Sequence, residues 1–540
     1  MLLPLLIYAA PIFLIIYLFK DYFSLSSIPG PFAARLTNLY RLLLVYNRHA
    51  HEQHLALHKR YGNLVRLGPT CVSVTGSQNY IPQIYGIGKG LVKSDFYSCF
   101  QNIVNGRRAA SLVAMTDESQ HARSKRMIAH AYSLSTLVEY EELVDRTTDV
   151  FLQTLEQEFA SFSSSSPPNK RDNSRPGRVL DLGRYLQFFA FDVIGELTFS
   201  RRLGFIESGT DVDNIIAAIG ANFSYFSVLG QMPWLDEAVL GKNPLYVKYF
   251  RKSVSSPILL FAQRLLKERL GQLEDTKADD DDEELLNRPD FLSRFLKTRR
   301  KEGTTTTADD EKGNGDEEET LTDAQILSNL FMNINAGSDT IASTLRAIFY
   351  HLLKNPASLA RLTAELDAAA AARKISRPSP TWTETQHGLP YLCAVVKEGL
   401  RMNPALSLPL ERVVPKDGLT LHHDDGSQTF LPAGTVVGIN PWVFHRSTRV
   451  FGADAETWNP ARWLSAQEQA TKNMEHSLLA FGAGKRSCLG KNIAMLELHK
   501  LVPALLMKFH VELDDPGREW EVSNAWVLNQ TGLNVRLALR

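Results

Sequence analysis

Cysteine is scarce in this chain: four among 540 residues, Cys71, Cys99, Cys393 and Cys488, with no C-x-x-C pair. The scarcity excludes a disulfide framework and points to a reducing compartment, and the scatter argues against zinc, which needs a second sulfur at metal-site spacing. An excess of charge is lacking too. Lys plus Arg and Asp plus Glu each number 59, so the formal charge is zero. With no basic stripe interleaved with aromatics, nucleic acid is not an expected partner. No internal repeat is present, and the longest uncharged, apolar run is confined to one place.

That place is the first twenty residues. From Leu2 to Phe19 every side chain is uncharged and most are large and apolar, close to the ~20 residues that cross a bilayer as a helix. A cleaved signal peptide is the competing reading, but no charged region precedes the run and no small-x-small site follows it. Lys20, Arg35 and Arg41 follow, which places the rest of the chain in the cytoplasm by the positive-inside tendency. Pro4 and Pro11 weaken the helix and leave a buried hairpin as the alternative. The expected division is an anchor over 1–19, a hinge over 20–36 with the kinked Ile28-Pro29-Gly30-Pro31, and one large body over 37–540.

The body reads as mainly α with small β-sheets. Asn63 to Gly68 and Thr70 to Thr75 alternate and are β-branched, which predicts a hairpin. Tyr185 to Phe199 is nearly all apolar, too long for a strand, and suits a core helix. Ser161 to Pro176, Asp279 to Glu284 and Thr304 to Glu319 are polar surface insertions by composition.

Three segments carry chemistry. Thr322-x-x-Gln325 is a capping box for a long helix from about Asp323 to Leu353. Within it, Ala336-Gly337-Ser338-Asp339-Thr340 sets small and polar residues in an apolar helix. Glycine there costs ~1 kcal/mol, small residues admit a ligand, and a threonine hydroxyl bonds the carbonyl one turn back. Alone, this run reads equally well as an ordinary kinked core helix. Glu398 and Arg401 are opposite charges at i and i+3 among apolar residues, which implies burial and a third partner, for which Arg462 is the candidate. Last, Phe481-Gly-Ala-Gly-Lys-Arg-Ser-Cys488-Leu-Gly490 places a cysteine in a glycine-loosened loop before a helix starting near Gly490, where unpaired N–H groups lower a thiol's pKa. Such a thiolate could attack a substrate beside a histidine base, hold zinc or ligate haem iron. Phe481, Gly482, Gly484 and Arg486 match what a flat macrocycle with propionates needs, and favour haem.

The loop, with matches at Phe481, Gly484, Arg486, Cys488 and Gly490, resembles the haem-binding loop of the cytochrome P-450 monooxygenases. The resemblance implies that fold, with haem b held by Cys488 and contacted by Phe481, Gly482, Ala336 and Gly337. It implies that Thr340 hydrogen-bonds dioxygen while Asp339 relays protons, and that Glu398, Arg401 and Arg462 form a structural network, with Ala461 replacing a commonly acidic neighbour. His121, Lys125 and Arg412 stand where the family grips the propionates; Lys125 departs from its arginine, and Arg126 is the alternative. The implied pocket includes Phe96, Phe100, Val104, Phe331, Met332, Leu406, Leu408 and Val527. Lys93 to Tyr97 and Phe189 to Gly195 further resemble fungal pisatin-demethylase-like and benzoate-hydroxylase-like members of secondary metabolism. Expected partners are a lipophilic small molecule, membrane lipid at the endoplasmic reticulum, and NADPH-cytochrome P-450 reductase with cytochrome b5 as a second donor, docking near Arg123, Arg126, Lys485 and Lys491. The chain shows no flavin or nucleotide domain of its own. A haem-thiolate isomerase or dehydratase, and a non-catalytic haem binder, are the competing readings.

Overall fold

The computed structural model describes residues 22–104, 107–161, 178–250, 257–275, 287–299 and 320–540. The apolar run over 2–19 and nearly all of the three polar insertions lie outside the described residues.

The expected hairpin forms, with β1 (Leu64–Gly68) antiparallel to β2 (Cys71–Val74) and Leu64 opposite Val74. It joins β3 (Val92–Lys93), β4 (Arg412–Val413) and β5 (Val436–Ile439) in a five-stranded sheet ordered β1-β2-β5-β4-β3. The chain's start is clamped to β1. Arg66, fully buried, donates to the carbonyls of Tyr22 at 2.9 Å and Pro69 at 2.6 Å, while its backbone N–H reaches Pro29 O at 2.8 Å. A β-carbon on Gly30 would lie 2.4 Å from Arg66 O, so only glycine permits this approach. A short helix, Phe32–Leu36, occupies the end of the predicted hinge.

Helices build the rest. The site is framed by α1 (Glu118–Ala129), α2 (Leu134–Phe159), α3 (Leu182–Phe199), α4 (Asp323–Gly337), α5 (Asp339–Lys354), α6 (Pro390–Met402) and α7 (Lys491–Lys508). The apolar stretch behind α3 is buried almost end to end, including Phe188, Phe189 and Phe191, and packs against α2, α4 and α5. Asp192, inside α3, accepts backbone N–H bonds from Leu203, Gly204, Phe205 and Ile206. It thereby satisfies the donors at the start of the next helical turn. The predicted capping box forms at Thr322 and Gln325.

The predicted single helix over 323–353 is two. α4 ends at Gly337 and α5 begins at Asp339, with Ser338 between them at φ −86°, ψ −68°. Ser338 Oγ donates to Ile334 O at 2.7 Å, and such back-bonding bends helices. Among the described residues, one helical stretch, Val212–Leu229, is long and apolar enough to cross a membrane by length and composition.

Candidate active site

α4 and α5 present one accessible stripe. Met332 and Thr340 are half-buried and Ala336 is exposed, one turn apart, while Phe331, Ile334, Asn335 and Ser338 between them are buried. Thr340 Oγ1 donates to Ala336 O at 2.7 Å, the back-bond anticipated from the sequence. Gly337 has a different neighbour. A β-carbon there would sit 2.7 Å from Ile194 Cδ1, so its smallness lets α4 close against α3, and Ala336 is the residue open to the site. Asp339 accepts from Gln187 Nε2 at 2.7 Å, and its burial raises its pKa.

Tyr132 joins this helix pair to the cysteine loop. Its hydroxyl donates to Asn333 Oδ1 in α4, and its carbonyl accepts from Asn492 Nδ2 in α7 at 3.3 Å. In the loop, Cys488 N–H donates to Phe481 O at 2.8 Å. Gly482 and Gly484 both take φ +66°, a left-handed conformation that favours glycine. At Gly484 a β-carbon would lie 1.9 Å from Tyr85 O. The Cys488 side chain is accessible. Against the expectation from sequence its pKa is raised: although solvent reaches the residue, desolvation of the thiol outweighs the Gly490 N–H bond and the Lys491 and Lys125 charges that pull it down.

The cations around the loop are the more telling feature. Arg486, one of the predicted residues, pairs with Glu118 at 2.8 Å, yet its Nη1 is buried with no hydrogen-bond partner among the described residues. His121 is buried, and desolvation with the nearby Arg486 and Lys93 lowers its pKa to about 4. Arg412 is buried; its Nη1 donates to Glu411 O at 2.8 Å, and its guanidinium lies 5.0 Å from the Tyr85 ring. Lys125 is the peripheral one, reaching Lys485 O at 3.2 Å near the surface.

Lys93 was not anticipated, although it opens the run Lys93 to Tyr97 that suggested the fungal resemblance. It is buried, donates to Val113 O at 2.7 Å and lies 4.2 Å from the Tyr97 ring. Burial and the charges of Arg412 and Arg486 drive its pKa well down. Glu411, the other nearby acid, is committed to Arg41 and Ser94. The guanidinium groups of Arg412 and Arg486, with Glu118 as the remaining acid, sit beside a Lys93 and a His121 that burial and those two charges keep neutral. This buried basic set calls for an anion, and both neutral groups would take up a proton once one enters. The two propionates of haem fit that demand, and Cys488 fits the iron.

Behind α6, Glu398, Arg401 and Arg462 meet as predicted. Glu398 and Arg401 are fully buried and paired at 2.8 Å; Arg462 Nε reaches the same carboxylate at 3.1 Å and its Nη1 reaches Asp454 at 2.9 Å. A residue not anticipated links this network to the loop: His445, whose Nδ1 donates to Arg401 O at 3.0 Å while its Nε2 accepts from Leu479 N–H at 2.8 Å. No local sequence signal foretells that bridge.

Of the predicted pocket residues, Phe96 and Phe100 pack with Trp526 at ring separations of 5.1 and 5.0 Å, and Phe100 with Phe226 at 5.0 Å. Val527 bridges to Leu406, and Leu408 joins the same apolar cluster. Phe331 packs in the main helical core instead. The side chain of Val104 lies outside the described residues.

A cysteine loop joined through Tyr132 to a broken helix, with a buried basic cluster beside it, in a mainly helical fold with small sheets, is the arrangement of the haem-thiolate class of protein. The cytochrome P-450 family model matches residues 29–536. A cytochrome P-450 monooxygenase of Aspergillus terreus is 42% identical over 94% of this chain and 95% of its own length. The cytochrome P-450 monooxygenase cicH of Emericella nidulans is 41% identical over 97% and 96%. The monooxygenase mpaDE of Penicillium roqueforti is 38% identical over 98% of this chain but 57% of its own, longer sequence. The chain belongs to the cytochrome P-450 family, so its chemistry is that of haem iron and dioxygen, with a redox partner and a small-molecule substrate.

Proposed function

We propose that this chain inserts one oxygen atom of O2 into a lipophilic small molecule, by hydroxylation or a related oxidation, within a fungal secondary-metabolite pathway. Electrons come from NADPH through NADPH-cytochrome P-450 reductase, with cytochrome b5 as a second donor, at the endoplasmic reticulum membrane. The observation that carries this reading is the buried basic cluster around Arg486 of the Cys488 loop, whose Nη1 has no hydrogen-bond partner among the described residues.

Haem bound through a thiolate supplies iron whose electron-rich state favours O–O cleavage. The chain does the rest. Cys488 would bind the iron through its sulfur, its backbone held by the N–H bond to Phe481 O. Lys93, His121, Arg412 and Arg486 would hold the propionates, and Lys125 would add charge at the rim. The small, exposed Ala336 would leave room for the cofactor and dioxygen. Thr340 keeps its hydroxyl at the gap between α4 and α5, where Oγ1 can pass a proton, and the Asp339 carboxyl stands one residue away to replenish it. Phe96, Phe100, Phe226 and Trp526 exclude water and offer a lipophilic substrate a wall of rings.

The test is Cys488→Ser in the full-length protein. It abolishes the thiolate-type spectrum of the reduced carbon monoxide complex and all NADPH-dependent product formation. An unchanged spectrum refutes the ligand assignment, and product formation without NADPH or reductase shifts the reading to an isomerase. Feeding lipophilic metabolites to cells expressing the chain with a fungal reductase identifies the product.

A further inference from the structure

The carboxyl of Asp339 is tied to a residue on another helix by an amide whose orientation is forced. Arg346 in α5 is buried and can only donate. Its Nη2 lies 2.8 Å from Gln187 Oε1, which fixes the Gln187 amide with its oxygen toward Arg346. The Nε2 end must then face Asp339, and it does, at 2.7 Å from Oδ1. Arg346 is itself held by Gly183 O at 2.8 Å through Nε and by Asn529 Oδ1 at 3.2 Å through Nη1. Asn529 lies in the hairpin strand Val527–Thr531, directly after Trp526 of the aromatic wall. One chain of hydrogen bonds thus runs from the substrate-side hairpin through α5 and α3 to the acid.

We propose that Gln187 is a positioning residue for oxygen activation: oriented by Arg346, it donates to Asp339 and sets both the place and the proton affinity of that carboxyl. The proposal rests on the role for Asp339 given above. The charged groups facing Asp339 are Arg346 on its own helix and Asp211 before the helix Ile215–Leu229; Asp181, at the cap of α3, faces Arg346. Burial and Asp211 favour the protonated acid, while Gln187 and Arg346 favour the carboxylate. Gln187 is the one of these that can be exchanged for an isostere without touching Asp339, Thr340 or the haem loop.

The test compares Gln187→Glu and Gln187→Leu with wild type, as full-length holoproteins with a fungal reductase. The probe is NADPH-driven oxygen reduction across a pH series, with melting temperatures over the same series. Both variants keep the thiolate-type carbon monoxide spectrum. At neutral pH both lose about tenfold in oxygen reduction, the worth of one hydrogen bond to a charged group. Q187E recovers as the pH is lowered, because a protonated glutamic acid again donates to Asp339, whereas Q187L does not. Its melting temperature follows the same pH dependence. Wild-type pH profiles in both variants, whatever their melting temperatures, overturn the proposal. A wild type that reduces no oxygen with NADPH refutes the functional reading itself, and the two failures are told apart by which protein fails.

Discussion

At the scale of single residues, Glu398 is the acid on which two buried guanidinium groups converge. Its carboxylate accepts from Arg401 Nε and Nη2, Arg462 Nε, Trp463 Nε1 and the backbone of Asn459. Burial pushes its pKa up, but the bonds and charges of Arg401 and Arg462 outweigh that and hold it below the usual carboxylate range. Glu398→Gln removes the charge that two buried guanidinium groups require, and breaking such a pair costs about 3–5 kcal/mol. Because Arg401 O also anchors His445, and His445 anchors Leu479, the damage reaches the cysteine loop. We expect a lower melting temperature together with a fall in haem content on purification; a variant that melts like wild type and retains haem contradicts the network's role. The Glu398-x-x-Arg401 spacing was legible because both partners share one turn of one helix. Lys93 and His445 were not, since each meets its partners only where distant segments fold together.

At the scale of elements, periodicity located the hairpin, α3, the capping box and the start of α7, but it merged α4 with α5. Both halves carry the same apolar stripe, and the break depends on where Ser338 and Thr340 direct their hydroxyls, which periodicity does not register. Gly337 shows the same limit: a small residue in a helix reads as room for a ligand, whereas here it admits Ile194. A second element-scale feature spans the pocket. Asp236 in the helix Pro233–Ala238 pairs with Lys242 at 2.6 Å, both buried, and Lys242 also donates to Cys99 O at 2.6 Å beside Phe100. Arg108 reaches Glu237 at 2.8 Å, and Gly230 lies so close to Phe96 that a β-carbon would come within 2.4 Å of its ring. These contacts latch the 230–242 segment to the Asp95–Phe100 segment over the aromatic wall. Lys242→Met leaves the Asp236 carboxylate buried without its cation, at a cost of about 3–5 kcal/mol. Limited proteolysis is expected to cut the 230–242 segment several times faster in this variant, and a protease pattern identical to wild type rules the latch out.

At the scale of the molecule, acid stability is set by histidines kept neutral inside it. Burial lowers the pKa of His51, His54 and His445 from 6.5 to about 3, and of His58, His351 and His499 to about 4. A group whose folded pKa is depressed in this way binds its proton only when the chain unfolds. For these imidazoles, the stability present above pH 6.5 is therefore lost as the pH falls from 6.5 toward 4 and 3. Between pH 6.5 and 5.5 each contributes a loss of about 1 kcal/mol, so six remove roughly 6 kcal/mol, comparable with the ~5–15 kcal/mol that holds a protein folded. Glu497 and Asp192 act in the opposite sense: burial raises the first well above 4.5 and the second to about 6, which offsets part of that loss. The net expectation is a steep fall in melting temperature from pH 7 to 5.5, read by circular dichroism. His51 provides the control. It is fully buried, its two ring nitrogens have no hydrogen-bond partner among the described residues, and its ring meets Trp442 edge-on at 4.7 Å. His51→Phe keeps that contact and removes two unsatisfied polar atoms, each worth about 1–3 kcal/mol. The variant is expected to melt higher than wild type and to lose less on acidification; a wild-type melting temperature that stays flat to pH 5.5 shows that these imidazoles are not buried neutral.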